Sequence, residues 1–341
     1  MDGPRATLAA VAEAAGVSVP TASKVLNGRT DVAAETRARV EKVVARLGYR
    51  KPAAARRRPR KAVTMLDLVI NELDSSWAVE ILSGTEKVAQ EAGMSIALTA
   101  VHSNSTLTRK WLDSLALRGC RGAILVLSDL SGYQRAELAR QEIPFVVVDA
   151  VGQPDESVPS VGATNWHGGF AATQHLIEHG HRRIAVIGGP QQLMCTRARI
   201  AGYRAALDTA GLPLHPPYVR YGDFRHQQGY EQTRELLKLP DPPTAIFAGS
   251  DLQALGAYQA MHESRLRVPD DVSIVGFDDL PFAPWTAPPL TTVRQPLQEM
   301  GALAARMLLS LIRGEPLGAR RAELATNLIV RGSTGPAHCG H

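Results

Sequence analysis

Cysteine is scarce in this chain of 341 residues: Cys120, Cys195 and Cys339 lie far apart and are odd in number. They build no disulfide framework and no Cys-x-x-Cys metal or redox pair, which suits a reducing compartment. Charged residues make up only 21% against 45% hydrophobic, a balance that excludes a disordered or coiled-coil chain. No apolar run approaches the ~18 residues that cross a bilayer, so no membrane partner is expected. The N-terminus lacks the basic start, apolar stretch and cleavage site of a secretory signal, which predicts a cytoplasmic protein. Enzyme signatures are nearly absent as well. There is no G-x-S-x-G elbow and no P-loop, and Ile187-Gly188-Gly189-Pro190 lacks the glycine spacing of a dinucleotide fingerprint, so neither catalysis nor a cofactor is predicted.

What is present is length and an uneven charge. A chain of 341 residues exceeds one ordinary core and implies two or three folded units. The net charge of +5 hides a division, since residues 1–61 hold 14 Lys/Arg against 5 Asp/Glu, while residues 62–341 hold 24 against 28. The first piece has the electrostatic footprint of a polyanion binder, because each cation set against a phosphate releases condensed counterions. A merely solvated basic face is the plainer alternative, and the pattern within the piece decides between them.

Thr7 suits the N-cap of a helix from Leu8 to Ala15, which Gly16 ends in the manner of a left-handed C-cap. Ser18 offers a second N-cap, and Pro20 is tolerated in a first turn because its missing N–H would be unpaired there anyway. That second helix closes with Val25 and Leu26 before the Asn27-Gly28 turn. A third helix from about Glu35 carries Val40, Val43, Val44 and Leu47 as one apolar stripe and stops at Gly48. Two short helices joined tightly and backed by a third form a helix-turn-helix, whose second helix meets base edges through its N-terminal residues.

The segments TLAAVAEAAGVSVPTASKVLNG and ETRARVEKVVARLGY resemble the DNA-binding head of the LacI/GalR family of bacterial transcription regulators. The resemblance implies base reading by Val19, Pro20 and Lys24, and phosphate or sugar contacts from Thr7, Ser18, Thr21, Ser23 and Asn27. The chemistry agrees: short hydroxyls and amides fix register on phosphates, Lys reaches guanine acceptors, and Val and Pro offer apolar contact only. Helix capping is a second job open to Ser18 and Thr21. After Tyr49 comes RKPAAARRRPRK, where the family has a hinge that folds on operator DNA and wedges a Leu into the minor groove. Ala55 and Arg56 fit that hinge, but the wedge position holds Arg58, and Pro52 and Pro59 confine any helix to about two turns. The arginines suit a narrow minor groove without unstacking the bases; a floppy basic linker is the alternative.

From Val63 the chain alternates β-branched runs with helical stretches: VTMLDLVI, MSIALTA, GAILVL, PFVVVD, RRIAVIG, TAIFAG and VSIVGF. Such alternation predicts parallel sheets covered by helices, and about 280 residues of it predict two lobes with a cleft between them. The resemblance continues through HGHRRIAVIGGP, RIAGYRAAL, RLRVPDDVSIVGFDD and PPLTTVRQP. It implies an all-α helix-turn-helix head (residues 1–49), a basic linker (50–61) and an α/β two-lobed core like the periplasmic binding proteins (62–341). In that core, lobe 1 would hold residues 62–161 and 291–324 and lobe 2 residues 162–290 and 325–341, with crossings near Val161, Leu290 and Leu324. It also implies a homodimer, or a tetramer, on a near-palindromic operator in the bacterial cytoplasm and nucleoid.

By position the resemblance further implies an effector set of Trp77, Asp149, Arg199, Phe224, Ser250, Asp251 and Asp278. Carboxylates and a guanidinium suit adjacent hydroxyls, and aromatic rings suit a pyranose face, so a sugar is the expected ligand. Leu193 and Cys195 stand where purine-responsive relatives place side chains that bond a base edge. The three aspartates also suit helix N-caps at strand-to-helix turns, and Trp77 and Phe224 also suit the core. Trp111 and Trp166 read as buried packing, and Trp285, in the FAPWTAPP loop near a crossing, as either packing or part of the site.

Three other readings stay open. His175, Glu178 and His179 spell H-x-x-E-H, the spacing of a zinc hydrolase. The core alone would serve a secreted solute-binding protein, against which stand the basic head and the missing signal. A carbon-control or corepressor-type regulator could instead answer to a non-sugar ligand or a phosphoprotein.

Overall fold

The computed structural model describes residues 7–26, 32–47, 49, 64–70, 76–101, 109–127, 130–152, 155 and 157–337, and the chain forms two compact units, residues 1–62 and 63–341. Three helices make the first unit: α1 (Leu8–Ala14), α2 (Val19–Leu26) and α3 (Ala34–Leu47). Thr7 caps α1, its side chain accepting the Ala10 N–H at 3.2 Å. Gly16 turns the chain out of α1 at φ +62°, a conformation that strains any residue with a Cβ. Val11, Ala12, Ala15, Ala22, Val25, Val40 and Val43 form the core, with Val44 against its edge. Leu47, expected in the same stripe, is 38% exposed at the end of α3.

The second unit runs β1 (Met65–Ile70), α4 (Ser76–Glu91), β2 (Ser95–Ala100), α5 (Arg109–Arg118), β3 (Cys120–Val126), α6 (Gly132–Arg140), β4 (Phe145–Val148) and β5 (Ser160–Ala163). It continues through α7 (Asn165–Glu178), β6 (Ile184–Gly188), α8 (Met194–Thr209), β7 (Val219–Tyr221), α9 (His226–Leu237), β8 (Ala245–Ala248), α10 (Asp251–Glu263), β9 (Ser273–Asp278) and β10 (Thr291–Arg294). Then follow α11 (Leu297–Ile312), β11 (Arg321–Leu324) and β12 (Asn327–Ile329).

The strands form two six-stranded sheets with the same order, β2-β1-β3-β4-β5-β11 and β7-β6-β8-β9-β10-β12. All pairs are parallel except β10 with β12. In each sheet the winding direction reverses beside the first strand, at β1/β3 and at β6/β8, where open α/β sheets leave a crevice at the carboxyl ends.

The chain passes between the sheets after Ala163, after Arg294 and after Leu324. The crossing expected near Leu290 therefore falls later. Thr291–Arg294 first pair with Val275–Asp278 as β10, so these residues belong to the second lobe. Val161 likewise lies inside β5, paired with Val148 and Ala322, and the crossing follows Ala163. Two of these connections meet at Thr164 and Thr326, whose hydroxyls lie 3.0 Å apart, while Thr326 N–H donates to Thr164 Oγ1 at 2.9 Å.

Helix α7 lies backbone to backbone on α8. A Cβ on Gly169 would stand 2.2 Å from the Arg199 carbonyl oxygen, and one on Gly202 2.1 Å from that of Trp166, so only glycine permits this approach. The contact places the middle of α8, and Arg199 with it, against the end of the second sheet.

Candidate functional site

Arg199 is the centre of the site. It lies on the inward face of α8, only 5% exposed, where an unpaired guanidinium would be costly. Its Nε donates to Asn165 Oδ1 at 2.8 Å and its Nη1 to the Gly249 carbonyl at 2.5 Å. Asp278 Oδ1 lies 3.9 Å from Nη1, and the guanidinium sits over the Phe277 ring at 3.7 Å from its centroid, with Phe224 at 5.3 Å. The strands aim these groups at one place: Asp278 ends β9, Asp149 follows β4 in the other lobe, and Gly249 follows β8.

Asp149 and Asp278 are both buried, at 6% and 5% exposure. Burial pushes the Asp149 carboxyl up to about 6 and the Asp278 carboxyl up to about 7, with the Arg199 charge pulling each part of the way back. Gln295 at the second crossing donates to Asp278 Oδ1 at 2.7 Å. Nearby, the Met194 N–H donates to the Val151 carbonyl at 3.1 Å, a direct tie from one lobe to the other. A guanidinium, two carboxylates from opposite lobes and two aromatic rings can hold a small polyhydroxylated ligand and couple its presence to lobe closure.

Phe224 reaches the site through a backbone at φ +68°, held by the Ser250 hydroxyl, which donates to the Phe224 carbonyl at 2.8 Å. Gly189 makes room, for a Cβ there would stand 2.2 Å from the Phe224 ring. Ser250 also caps α10, accepting the Gln253 N–H at 3.1 Å. It acts through Phe224 and the helix.

Asp251 is fully buried and works on the scaffold. Its Oδ2 accepts the Leu280 N–H at 2.7 Å and its Oδ1 the Thr292 hydroxyl at 2.5 Å, joining α10 to β10 and to the loop after β9. Burial, and then the Asp278 charge, raise its carboxyl well above the usual range. Trp77, in the first turn of α4, packs half-buried against the first lobe's core. Asp149, Arg199, Phe224 and Asp278 are thus brought together. Asn165, Gln295 and Phe277 belong with them although the sequence did not single them out. Asn165 follows a four-residue strand, and Gln295 follows another, so no periodicity marked either.

Trp111 is buried as expected, its Nε1 donating to Asp67 Oδ2 at 2.7 Å. Trp166, expected in the core, is 40% exposed and stacks on Phe170 at the start of α7. Trp285 is 80% exposed.

In the head, Ser18, Val19, Pro20 and Lys24 are exposed along α2, and Thr21 and Ser23 are half-buried. The Ser18 and Thr21 hydroxyls bond each other at 2.8 Å, and Ser18 Oγ accepts the Thr21 N–H at 3.3 Å, so Ser18 caps α2 and Thr21 holds the capping hydroxyl. Thr7, the α1 cap, is exposed. Val19, 43% exposed in the first turn, presents an apolar tip suited to a thymine methyl. Asn27, Ala55, Arg56 and Arg58 lie outside the described residues.

The H-x-x-E-H segment has another use. His175 Nε2 hydrogen-bonds Thr334 Oγ1 at 2.8 Å, and His179 Nδ1 hydrogen-bonds the His175 carbonyl at 2.8 Å. Glu178 accepts from Gln174. Burial, and then the His179 charge, push the His175 imidazole down to about 4. Together with His181, which bonds Ser273 and the Gly335 carbonyl, and the His179 carbonyl, which accepts the Ala337 N–H at 2.7 Å, the segment clasps the stretch after β12. Among the described residues no three His, Cys, Asp or Glu gather as metal ligands, so the zinc reading is withdrawn.

A helix-turn-helix unit and a two-lobed α/β body with a buried polar cleft define a ligand-controlled, DNA-binding regulator. Comparison with known proteins agrees. The family model for bacterial regulatory proteins of the lacI family matches residues 7–51, and that for a periplasmic binding protein-like domain matches residues 173–334. The ribose operon repressor of Escherichia coli (strain K12) is 34% identical over 96% of this chain and 99% of its own. The HTH-type transcriptional regulator CelR of Thermobifida fusca is 37% identical over 96% and 98%. The structure of a CelR–cellobiose complex matches with a TM-score of 0.72 at 36% identity, over 96% of this chain and all of that one. The lac repressor dimer bound to operator and an anti-inducer matches at 0.70 and 29%, over 97% and 100%. The chain belongs to the lacI family of bacterial regulatory proteins.

Proposed function

We propose that this protein represses carbohydrate-utilisation genes and that a sugar bound between its lobes sets its affinity for operator DNA. The observation that carries the reading is Arg199: a buried guanidinium lying over an aromatic ring, with carboxylates of both lobes around it. That set is the chemistry of sugar recognition, in which charged forks bond adjacent hydroxyls and ring faces cover C–H surfaces. Relatives named for ribose operon repression and solved with cellobiose support it.

The mechanism is a population shift. Sugar bridges Asp149 in one lobe and Arg199 and Asp278 in the other, favours the closed arrangement, and lowers operator affinity by the ratio of its binding constants for the two states. A homodimer in the bacterial cytoplasm would present two heads to two half-sites, as a relative solved as a dimer on its operator suggests. Calorimetric titration with pentoses, hexoses and β-linked disaccharides tests the cleft. One sugar should bind saturably, and Arg199→Ala should weaken it by about 2–5 kcal/mol, since Asp278 would be left buried without its cation. Undiminished binding by Arg199→Ala would remove the assignment.

A further inference from the structure

We propose that the second lobe carries another ligand site, on the outer face of α8, for a small phosphorylated anion. Arg197, Ala201 and Arg204 recur four and three residues apart and so share one helical face, while Arg199, Ile200 and Tyr203 turn inward. Between that face, Gln191 in the loop after β6 and Tyr221 at the end of the edge strand β7 lies a cavity of about 470 Å³, with Ile200 as its apolar floor.

The lining sets two guanidiniums, an amide and a phenol against apolar side chains and includes no carboxylate. Neither Arg197 nor Arg204 has an ion-pair partner among the described residues. Two unpaired guanidiniums at one cavity repel each other, and a bound anion relieves that repulsion. Guanidinium forks match the paired oxygens of a phosphate, and the Tyr221 hydroxyl and Gln191 amide add neutral donors. Seven residues of helix set the two arginines ~10 Å apart along the axis, enough for both to close on one phosphate or to span a phosphate and the body carrying it. Ala201 between them keeps the face open. The volume is that of an ordinary small-molecule site. Arg197 also lies near the N-terminal end of α8, where the helix dipole favours negative charge.

Arg199 leaves α8 on the opposite side, so this site does not depend on the sugar cleft and the two can be tested apart. The experiment is calorimetric titration of the full chain with inorganic phosphate, with glucose 6-phosphate and with glucose, sodium chloride at matched ionic strength serving as control. Saturable binding of phosphate or of the phosphate ester is expected, retained in Arg199→Ala and weakened at least tenfold in the double variant Arg197→Gln/Arg204→Gln. Stronger binding of the ester names an organic phosphate as ligand, and equal binding names free phosphate. Should the double variant unfold, Ala201→Glu sets a carboxylate on the exposed face between the arginines and should produce the same loss. No saturable binding beyond the chloride control, or binding unchanged in both variants, would overturn the proposal.

Discussion

At the residue scale the cleft stores two carboxyl groups where burial disfavours their charge. Asp149 and Asp278 have folded-state values raised to about 6 and about 7 from an ordinary 3.8. Between pH 4 and 7 the folded chain therefore holds protons that the unfolded chain has released, and the sign of the linkage follows. The contribution of these two carboxyls to stability should fall as pH rises through that window and level off above it, against an opposite contribution from His175, whose imidazole is held down to about 4. Urea unfolding at a series of pH values checks this, and Asp278→Asn should flatten the decline; a decline unchanged in that variant would remove Asp278 as its source. In the head, Lys24→Ala should lose about 1–3 kcal/mol of discrimination at one operator position if Lys24 reads a base. Binding assays on single-base operator variants decide, since equal losses on every sequence would reassign Lys24 to the backbone. Residue identity made part of the site legible. Asp149 and Asp278 stand at the ends of apolar runs, and Arg199 matches a family motif. The different task of Asp251 was not legible, because its partner Thr292 is 41 residues away on a strand too short to show periodicity.

At the scale of elements, the crossing of α7 and α8 positions the guanidinium. Gly169→Ala would press a methyl group into the Arg199 carbonyl, so α8 must move. Overpacking of this kind typically destabilises by about 1–3 kcal/mol. Sugar affinity should fall with it, since Arg199 moves with the helix; thermal unfolding and ligand titration of one variant measure both. In the head, Thr7→Ala removes the cap of α1 and should lower that unit's stability by about 1 kcal/mol, read by helical circular dichroism on heating. The seven runs were readable as strands because each is mostly apolar, even β4 and β8 with four residues apiece. β5, β7, β10, β11 and β12 have three or four residues each and carry polar positions, so pairing across the sheet defines them and local pattern does not.

At the scale of the whole molecule, the two lobes share one strand order and are joined by three connections, so motion between them passes through a few residues near Thr164, Gln295 and Thr326. Two of the three crossings could not be read to the residue, because Ser160–Ala163 and Thr291–Arg294 look like loops until their neighbours are in place. The division into a basic head and an α/β body was legible from charge and alternation alone. The proposed function turns on control of operator binding by a ligand in the cleft. Gel shift with DNA from immediately upstream of the protein's own gene cluster, with and without a panel of sugars, tests it most directly. Specific binding released by one sugar, and no longer released by it in Arg199→Ala, is the predicted result. Tight binding that no sugar alters, with Arg199→Ala behaving as the parent protein does, would contradict it.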